Sequence, residues 1–355
     1  MKILSVVGAR PQFIKAAVVS HELRKKHDEI LVHTGQHYDY NMSQTFFDEL
    51  NIPVPNYNLG ISGGTHAEMT AKMMLGLEKV ILTEMPDYIL LYGDTNSTLA
   101  AALTAAKLHI KICHVEAGVR FHTLTSPEEI NRICTDHVST KLLACTQSGM
   151  DELKHEGLAD RAKVVGDPMY DAFLEYSEKR KIEEIEINLI EGGNYKIPEE
   201  YYYLTCHREE NTDRENALVE ILTAMNELDA LTIYPVHPRN KNRAQDIVKK
   251  YKFNNIILAE PVGYFESMAL VRNAKKIVTD SGGLQREAFF AHKKCVTVLD
   301  FIVWPETMVD NRNQLAKPLA KDILNKLDIP QTVNLQYCPF GDGHASAKIV
   351  KEIER

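Results

Sequence analysis

Short apolar runs recur along the chain and alternate with segments of helical periodicity. Runs at 3–7, 29–33, 88–92, 110–115 and 142–145 read as strands. Between them, 14–26, 66–84 and 97–108 repeat their apolar residues at the spacing of a helix with one buried face. Strands alternating with helices need crossover connections, which are right-handed and build a parallel sheet. The stretch 175–198 breaks this rhythm. It is charged, holds Gly192-Gly193 and ends in Pro198-Glu199-Glu200, as a surface connection would. The alternation then restarts, with strands at 201–206, 231–236, 255–258, 276–279 and 295–299. The pattern predicts an α/β chain of two Rossmann-like, doubly wound parallel-sheet domains, at 1–170 and 201–342, with 171–200 connecting them. Open parallel sheets bind ligands beyond the carboxyl ends of their strands. Two such sheets facing each other place the expected site in the cleft between domains.

Polar clusters fall at those strand ends. Thr279-Asp280-Ser281-Gly282-Gly283 follows the strand 276–279, and a helix is expected to start within it. The backbone N–H groups of Ser281, Gly282 and Gly283 would then lie open at a helix end with positive partial charge, a place suited to phosphate. Glu287, one turn further, is placed to accept bonds from sugar hydroxyls. The alternative is a tight turn in which Ser281 or Asp280 caps the helix and the glycines relieve crowding. After the first strand, Gly8-Ala9-Arg10-Pro11-Gln12-Phe13-Ile14-Lys15 brings two cations near a helix start. An arginine fork binds phosphate at two oxygens, whereas lysine is a point charge. Lys15 alone reads better as an ordinary surface residue.

Three carboxylates join this set. Asp94 in Tyr92-Gly93-Asp94-Thr95 and Glu116 in His114-Val115-Glu116-Ala117-Gly118 each end an apolar strand. Glu128 opens a helix behind Pro127 in Ser126-Pro127-Glu128-Glu129-Ile130-Asn131-Arg132. Singly, Glu128 is a favourable first-turn acid and Asp94 a helix N-cap. Gathered on one cleft, such carboxylates raise one another's pKa values, which suits general acid–base work. His207 and His237 stand at matching strand ends, where an imidazole can donate to phosphate or relay a proton; singly, such a histidine is more often structural. The 14 histidines form no HExxH or similar spacing, so no metal site is indicated.

Composition narrows the partners. A chain of 355 residues suits two domains, and 44% hydrophobic with 25% charged residues is ordinary for a globular protein. A net charge of −8 gives no basic footprint and argues against nucleic acid, so an anionic ligand must be held by local donors. The 6 cysteines are scattered without a CxxC pair and read as buried free thiols in a reducing compartment. The first apolar run is too short for a signal segment, and no run approaches membrane-span length. A cytosolic protein off the membrane is expected.

Taken in order, the motifs become specific. Gly8-Ala9-Arg10-Pro11, His33-Thr34-Gly35-Gln36-His37, Gly93-Asp94-Thr95, His114-Val115-Glu116-Ala117-Gly118 and Pro127-Glu128-Glu129-Ile130-Asn131-Arg132 are followed by His207-Arg208, His237-Pro238, Thr279-Asp280-Ser281-Gly282-Gly283 and Pro339-Phe340-Gly341-Asp342-Gly343. The series resembles the non-hydrolysing UDP-N-acetylglucosamine 2-epimerases from end to end. The resemblance implies a glycosyltransferase-B-like fold, with a C-terminal helix at 343–355 packing back on the first domain. It implies a UDP-sugar substrate, a homodimer, and no nicotinamide or metal cofactor. It also implies a route in which UDP is eliminated to give a 2-acetamidoglucal and then added back with C2 inverted. Asp94, Glu116, Glu128 and His207 match the family's catalytic residues. Arg10, Ser281, Gly282 and Gly283 match its phosphate cradle, and Glu287 its ribose contact. Lys15, Arg132 and His237 match further substrate-binding positions.

Some segments depart from that pattern. Leu299-Asp300-Phe301-Ile302-Val303-Trp304-Pro305-Glu306 lacks both arginines and the internal acid of the usual motif. His207-Arg208-Glu209-Glu210-Asn211-Thr212, Val165-Gly166-Asp167 and Pro261-Val262-Gly263-Tyr264 lean toward a branch that includes UDP-2,3-diacetamido-2,3-dideoxyglucuronate 2-epimerases. Members of the larger group bind a second, activating UDP-N-acetylglucosamine near Gln36 and His37. Gly63-Gly64-Thr65-His66 differs from their glutamine-bearing segment, so allostery is not assumed. A hydrolysing epimerase or a glycosyltransferase would share the fold. A regulator that binds nucleotide sugar without turnover is disfavoured by the carboxylates, since a diphosphate binder gains nothing from adjacent negative charge.

Overall fold

β1 (Lys2–Val7) is buried at every position from Ile3 onward, as a central parallel strand flanked by helices must be. β2 (Asp28–His33), β3 (Tyr57–Asn58), β4 (Tyr88–Tyr92), β5 (Lys111–Val115), β6 (Lys141–Ala144) and β7 (Ala162–Val164) join it in one parallel sheet, ordered β3-β2-β1-β4-β5-β6-β7. The computed structural model describes residues 1–36, 47 and 49–355, so His37 lies outside the described residues. This sheet belongs to a unit made of Met1–Leu174 and Cys338–Arg355. Its core joins Leu4, Val6, Ile89 and Leu91 to Leu77 and Ala101 of the flanking helices His66–Glu84 and Asn96–Lys107.

The chain's last helix, Ala345–Glu354, is part of the first unit. Asp171 accepts the backbone N–H groups of Ala345 and Ser346 at 3.0 and 2.7 Å, and the Lys141 ammonium donates to the Glu352 carbonyl. The helix packs on Arg10–Leu23.

The second unit, Glu175–Tyr337, is built the same way. The segment that reads as a plain surface connection contains a hairpin, β8 (Glu186–Asn188) with β9 (Asn194–Lys196), reversed around Gly192 and Gly193. Both glycines have positive φ, 94° and 86°. Leu189 bridges the hairpin to the main sheet at Ala259. That sheet holds β10 (Tyr201–Thr205), β11 (Leu231–Pro235), β12 (Ile256–Ala259), β13 (Lys276–Thr279), β14 (Lys294–Val298) and β15 (Asn313–Ala316), all parallel, in the order β12-β11-β10-β13-β14-β15. Its core gathers Leu204, Leu218, Leu222, Val278, Val296 and Ile323.

Both sheets change winding direction beside their first strand, between β1 and β4 and between β10 and β13. Loops beyond two such strands diverge and leave a crevice at their carboxyl ends. In the first unit those loops carry Gly8-Ala9-Arg10 and Gly93-Asp94. In the second they carry His207-Arg208 and Asp280-Ser281-Gly282.

Candidate active site

The first-unit crevice is braced by buried polar bonds. Gln12, only 2% exposed, accepts from the backbone N–H groups of Gly8 and Ala9 at 2.8 and 3.1 Å and donates to the Tyr92 carbonyl at 2.7 Å. It thereby ties the turn after β1 to the end of β4. Lys15 is not a surface residue. Its helix is buried along most of its length beneath Ala345–Glu354, and the ammonium ends 2.5 Å from a Glu116 carboxylate oxygen, with the side chains 2% and 8% exposed. Glu116 itself has φ +71°, a left-handed conformation that costs a non-glycine residue about 1–3 kcal/mol and persists only where the surroundings over-determine it. Gly93, with φ +63°, faces this pair: a Cβ there would sit 3.5 Å from Glu116 Oε1 and 3.7 Å from Lys15 Nζ.

Asp94 is not the N-cap of the following helix. Thr95 takes that place and accepts from the Thr98 N–H. The Asp94 side chain pairs with Arg132, whose guanidinium also reaches Glu129 at 2.9 Å, and the Asp94 carbonyl accepts from Asn131 at 2.9 Å. Glu129 in turn accepts the backbone N–H groups of Phe121 and His122. Glu128 lies in the first turn of helix Pro127–Val138, half-buried, and accepts from Ser126 Oγ at 2.7 Å. Glu116, Cys145 and Asp167 each bring one ligand atom within 4.8 Å of the others, all buried, and Lys15 already supplies a positive charge against Glu116. Elsewhere in the motif set, Gln36 accepts from the Ser97 hydroxyl at 2.8 Å.

The second-unit crevice is organised around Asp280. Its carboxylate accepts the backbone N–H groups of His207 and Arg208, the Asn211 amide at 3.2 Å and His207 Nδ1 at 2.9 Å. Burial alone would push this carboxyl up; the His207 partner and the converging donors outweigh it and hold it at about 2. His207 is therefore bound at Nδ1 while its side chain stays 44% exposed, which turns Nε2 toward other work. His237 is also exposed and accepts the Arg239 N–H at 3.3 Å.

Of the two candidate caps, Ser281 caps helix Gly282–Phe290, accepting from the Leu284 N–H at 3.3 Å. The Ser281 N–H is spent on Thr279 Oγ1 at 3.0 Å. The N–H groups of Gly282 and Gly283 lie in the first turn and have no partner within the helix. Glu287 is buried one turn on, in the same helix. The unusual segment 299–306 lies against this turn. A Cβ on Gly282 would approach Val303 Cγ1 at 3.3 Å and Trp304 Nε1 at 3.7 Å, and the Arg286 guanidinium stacks 4.2 Å from the Trp304 ring centroid.

The sequence profile of the UDP-N-acetylglucosamine 2-epimerases matches residues 21–354. The chain belongs to that family. Within it, the UDP-N-acetylglucosamine 2-epimerase homolog of Methanococcus maripaludis is 45% identical over 367 residues, covering 99% of each chain. The UDP-2,3-diacetamido-2,3-dideoxy-D-glucuronate 2-epimerase of Pseudomonas aeruginosa is 42% identical over 366 residues, covering 100% of each. The Methanocaldococcus jannaschii UDP-GlcNAc 2-epimerase, solved in complex with UDP-GlcNAc and UDP, matches with a TM-score of 0.90 at 37% identity, over 100% of this chain and 99% of that one. The fold is accordingly α/β and glycosyltransferase-B-like, with a parallel sheet in each of two domains.

Sequence reasoning missed the groups that hold the named residues. Gln12, His114 and Asn211 stand in the motifs without a role of their own, Asp136 stands outside them, and Asp280 reads there only as a possible cap. For Gln12, His114, Asn211 and Asp280 the one local signal is position in or beside a strand-end motif; Asp136, near the end of helix Pro127–Val138, has none.

Proposed function

We propose that the chain interconverts UDP-N-acetylglucosamine and UDP-N-acetylmannosamine by inverting C2 without net hydrolysis. Family membership supports the reaction class. Two observations carry the site: the pairing of Lys15 with Glu116 and Arg132 with Asp94 in the first unit, and first-turn N–H groups of Gly282 and Gly283 without a helical partner in the second.

The C2 hydrogen of a sugar is barely acidic, and elimination makes its removal feasible. A base takes the C2 proton while the C1–O bond breaks. The C–H electron pair becomes the C1=C2 double bond of a 2-acetamidoglucal, and the C1–O pair leaves with UDP in an anti sense. In the return step a UDP oxygen bonds C1 again and an acid delivers a proton to the opposite face of C2. The exchange needs proton carriers and a cradle for a departing diphosphate. We assign proton transfer to Asp94, Glu116, Glu128 and His207. Arg10, His237, Ser281, Gly282 and Gly283 are assigned to the diphosphate, and Glu287 to the ribose. Lys15 and Arg132 act through the carboxylates they hold. The atoms balance without a cofactor.

A second sugar is favoured by one observation. The Pseudomonas relative, 42% identical across both whole chains, is named for UDP-2,3-diacetamido-2,3-dideoxy-D-glucuronate. In either case the product would feed synthesis of a surface polysaccharide. A cytosolic setting belongs to this reading and is supported by the buried free thiols of Cys113, Cys206 and Cys295, which a reducing compartment maintains. A homodimer follows from the family resemblance and is checked by sedimentation. The deciding experiment incubates the protein with each UDP-sugar in deuterated water and follows C2 by NMR. Deuterium at C2 with appearance of the epimer is expected, and the faster substrate names the sugar. Free amino sugar with UDP would instead mark a hydrolysing enzyme, and no exchange with either sugar overturns the reading.

A further inference from the structure

His114 lies at the centre of the first unit's charge network and has no role in the reaction written above. It is fully buried on β5, two residues before Glu116. Its Nε2 stands 2.7 Å from the carbonyl of Gly93, the residue before Asp94, and its Nδ1 stands 2.6 Å from Asp136 Oδ1. Both partners offer acceptor oxygens, so each ring nitrogen faces one acceptor.

Asp136 extends the reach of that ring. It sits on helix Pro127–Val138, the helix that also carries Glu128, Asn131 and Arg132. Its second oxygen accepts the Gly118 N–H at 3.1 Å and pairs with Arg120 at 2.8 Å; Arg120 in turn holds Glu156 at 2.7 Å. Burial would push the Asp136 carboxyl up, and its His114 and Arg120 partners hold it below the ordinary range instead. One imidazole thus touches the turn that presents Asp94. Through Asp136 it also touches the helix of Glu128 and Arg132 and the loop just past Glu116. Asp94 is gripped from the same helix by Arg132 and Asn131. An apolar filling would stabilise such a core at least as well, because buried ion pairs recover little more than their own desolvation. What an apolar filling lacks is direction: it cannot fix three elements in one register.

We propose that His114 is a positioning residue, whose ring holds the Gly93-Asp94 turn and the Glu128 helix in register with Glu116. The proposal rests on the reading that these carboxylates move the C2 proton. His114→Gln places an amide donor where Nε2 stands, keeping the bond to Gly93. His114→Asn places one where Nδ1 stands, keeping only the bond to Asp136. C2 exchange, KM and UDP affinity are measured for both, with thermal unfolding as the check on folding. His114→Asn is expected to lose about 10²-fold in kcat, the scale of an ångström-level misplacement, with KM and UDP affinity within about twofold of the parent. His114→Gln is expected to recover about tenfold of that loss. Equal losses in the two variants, or losses that track UDP affinity or the folded fraction, overturn the proposal. Should neither variant fold, Asp136→Asn keeps an acceptor for His114 while removing the charge. It must lower kcat at unchanged KM, and an unchanged kcat overturns the proposal as well. Parent protein that exchanges no deuterium refutes the reaction assignment instead, and this proposal falls with it.

Discussion

The two crevices share one strand order and do opposite things with their polar groups. In the first unit the charges are spent inward: Lys15 on Glu116, Arg132 on Asp94 and Glu129, His114 and Arg120 on Asp136. In the second unit one carboxylate, Asp280, consumes the local donors of the β10 loop, while His207, His237 and the first-turn N–H groups of Gly282 and Gly283 face outward. Under the proposed assignment most proton-moving groups lie in the first unit and most anion donors in the second, with His207 and Arg10 the exceptions, and that division accounts for the difference. A group that moves a proton must sit at one place with one proton affinity, so its surroundings are fixed in advance. An anion site needs donors that no protein group has already taken.

The most damaging way to break this contrast is Glu116→Gln. It strips one of the proposed proton carriers and leaves the Lys15 ammonium buried without its partner. Loss of C2 exchange by roughly 10²–10⁴-fold is expected from removing an acid–base group. Stability should also fall by about 3–5 kcal/mol, because removing one member of a buried pair strands the other charge. Adding Lys15→Met should restore most of the stability and none of the exchange. Recovery of both would make the pair purely structural. UDP affinity, which the proposal assigns mainly to the second unit, should hold throughout and is read by calorimetry.

The contrast was only half legible in the sequence. Both sheets are readable because their central strands are apolar on two faces, and Ile3, Leu90, Leu204 and Val278 are fully buried as that requires. β3, β7 and β15 were not readable: they hold two to four residues and mix polar with apolar side chains. The candidate residues stand out because they follow strands. Their partners do not, since Lys15 lies 101 positions from Glu116 and His207 lies 73 from Asp280. Crossover connections bring such pairs together at no fixed spacing, so no local pattern specifies them. The reading of Lys15 as a surface residue failed for the same reason, because the helix that covers its own helix is the last in the chain.

Asp280 offers a smaller test on the other side. Its folded pKa of about 2 lies below the ordinary value of about 3.9. The carboxylate therefore contributes stability that is complete above pH ~4 and is lost as the pH falls through ~2. That contribution is on the order of 2 kcal/mol. Asp280→Asn should be less stable than the parent at neutral pH by about this amount and should lack this part of the acid slope. The chain's 1 tryptophan, Trp304, is buried in the second unit and reports unfolding there directly. Parallel acid slopes in parent and variant would show that Asp280 does not hold the β10 loop by charge.

Gly282→Ala should give the smallest effect and the most local one. Gly282 is the first residue of its helix, where alanine is tolerated and gains roughly 0.4–1 kcal/mol by narrowing the unfolded chain's freedom. The new methyl group would press on Val303 Cγ1 at 3.3 Å and crowd the open N–H groups of the first turn. The two effects on folding offset each other, so the melting temperature should barely move. UDP affinity should weaken by about tenfold, equivalent to about 1.4 kcal/mol, as a phosphate oxygen is held off the helix end. Exchange at saturating substrate should stay near the parent rate, because every group that moves the proton keeps its partners. Loss of kcat at unchanged affinity would mean that this turn governs the departure of UDP rather than its retention. The division of labour between the two crevices would then have to be redrawn, with the helix end acting on the breaking C1–O bond.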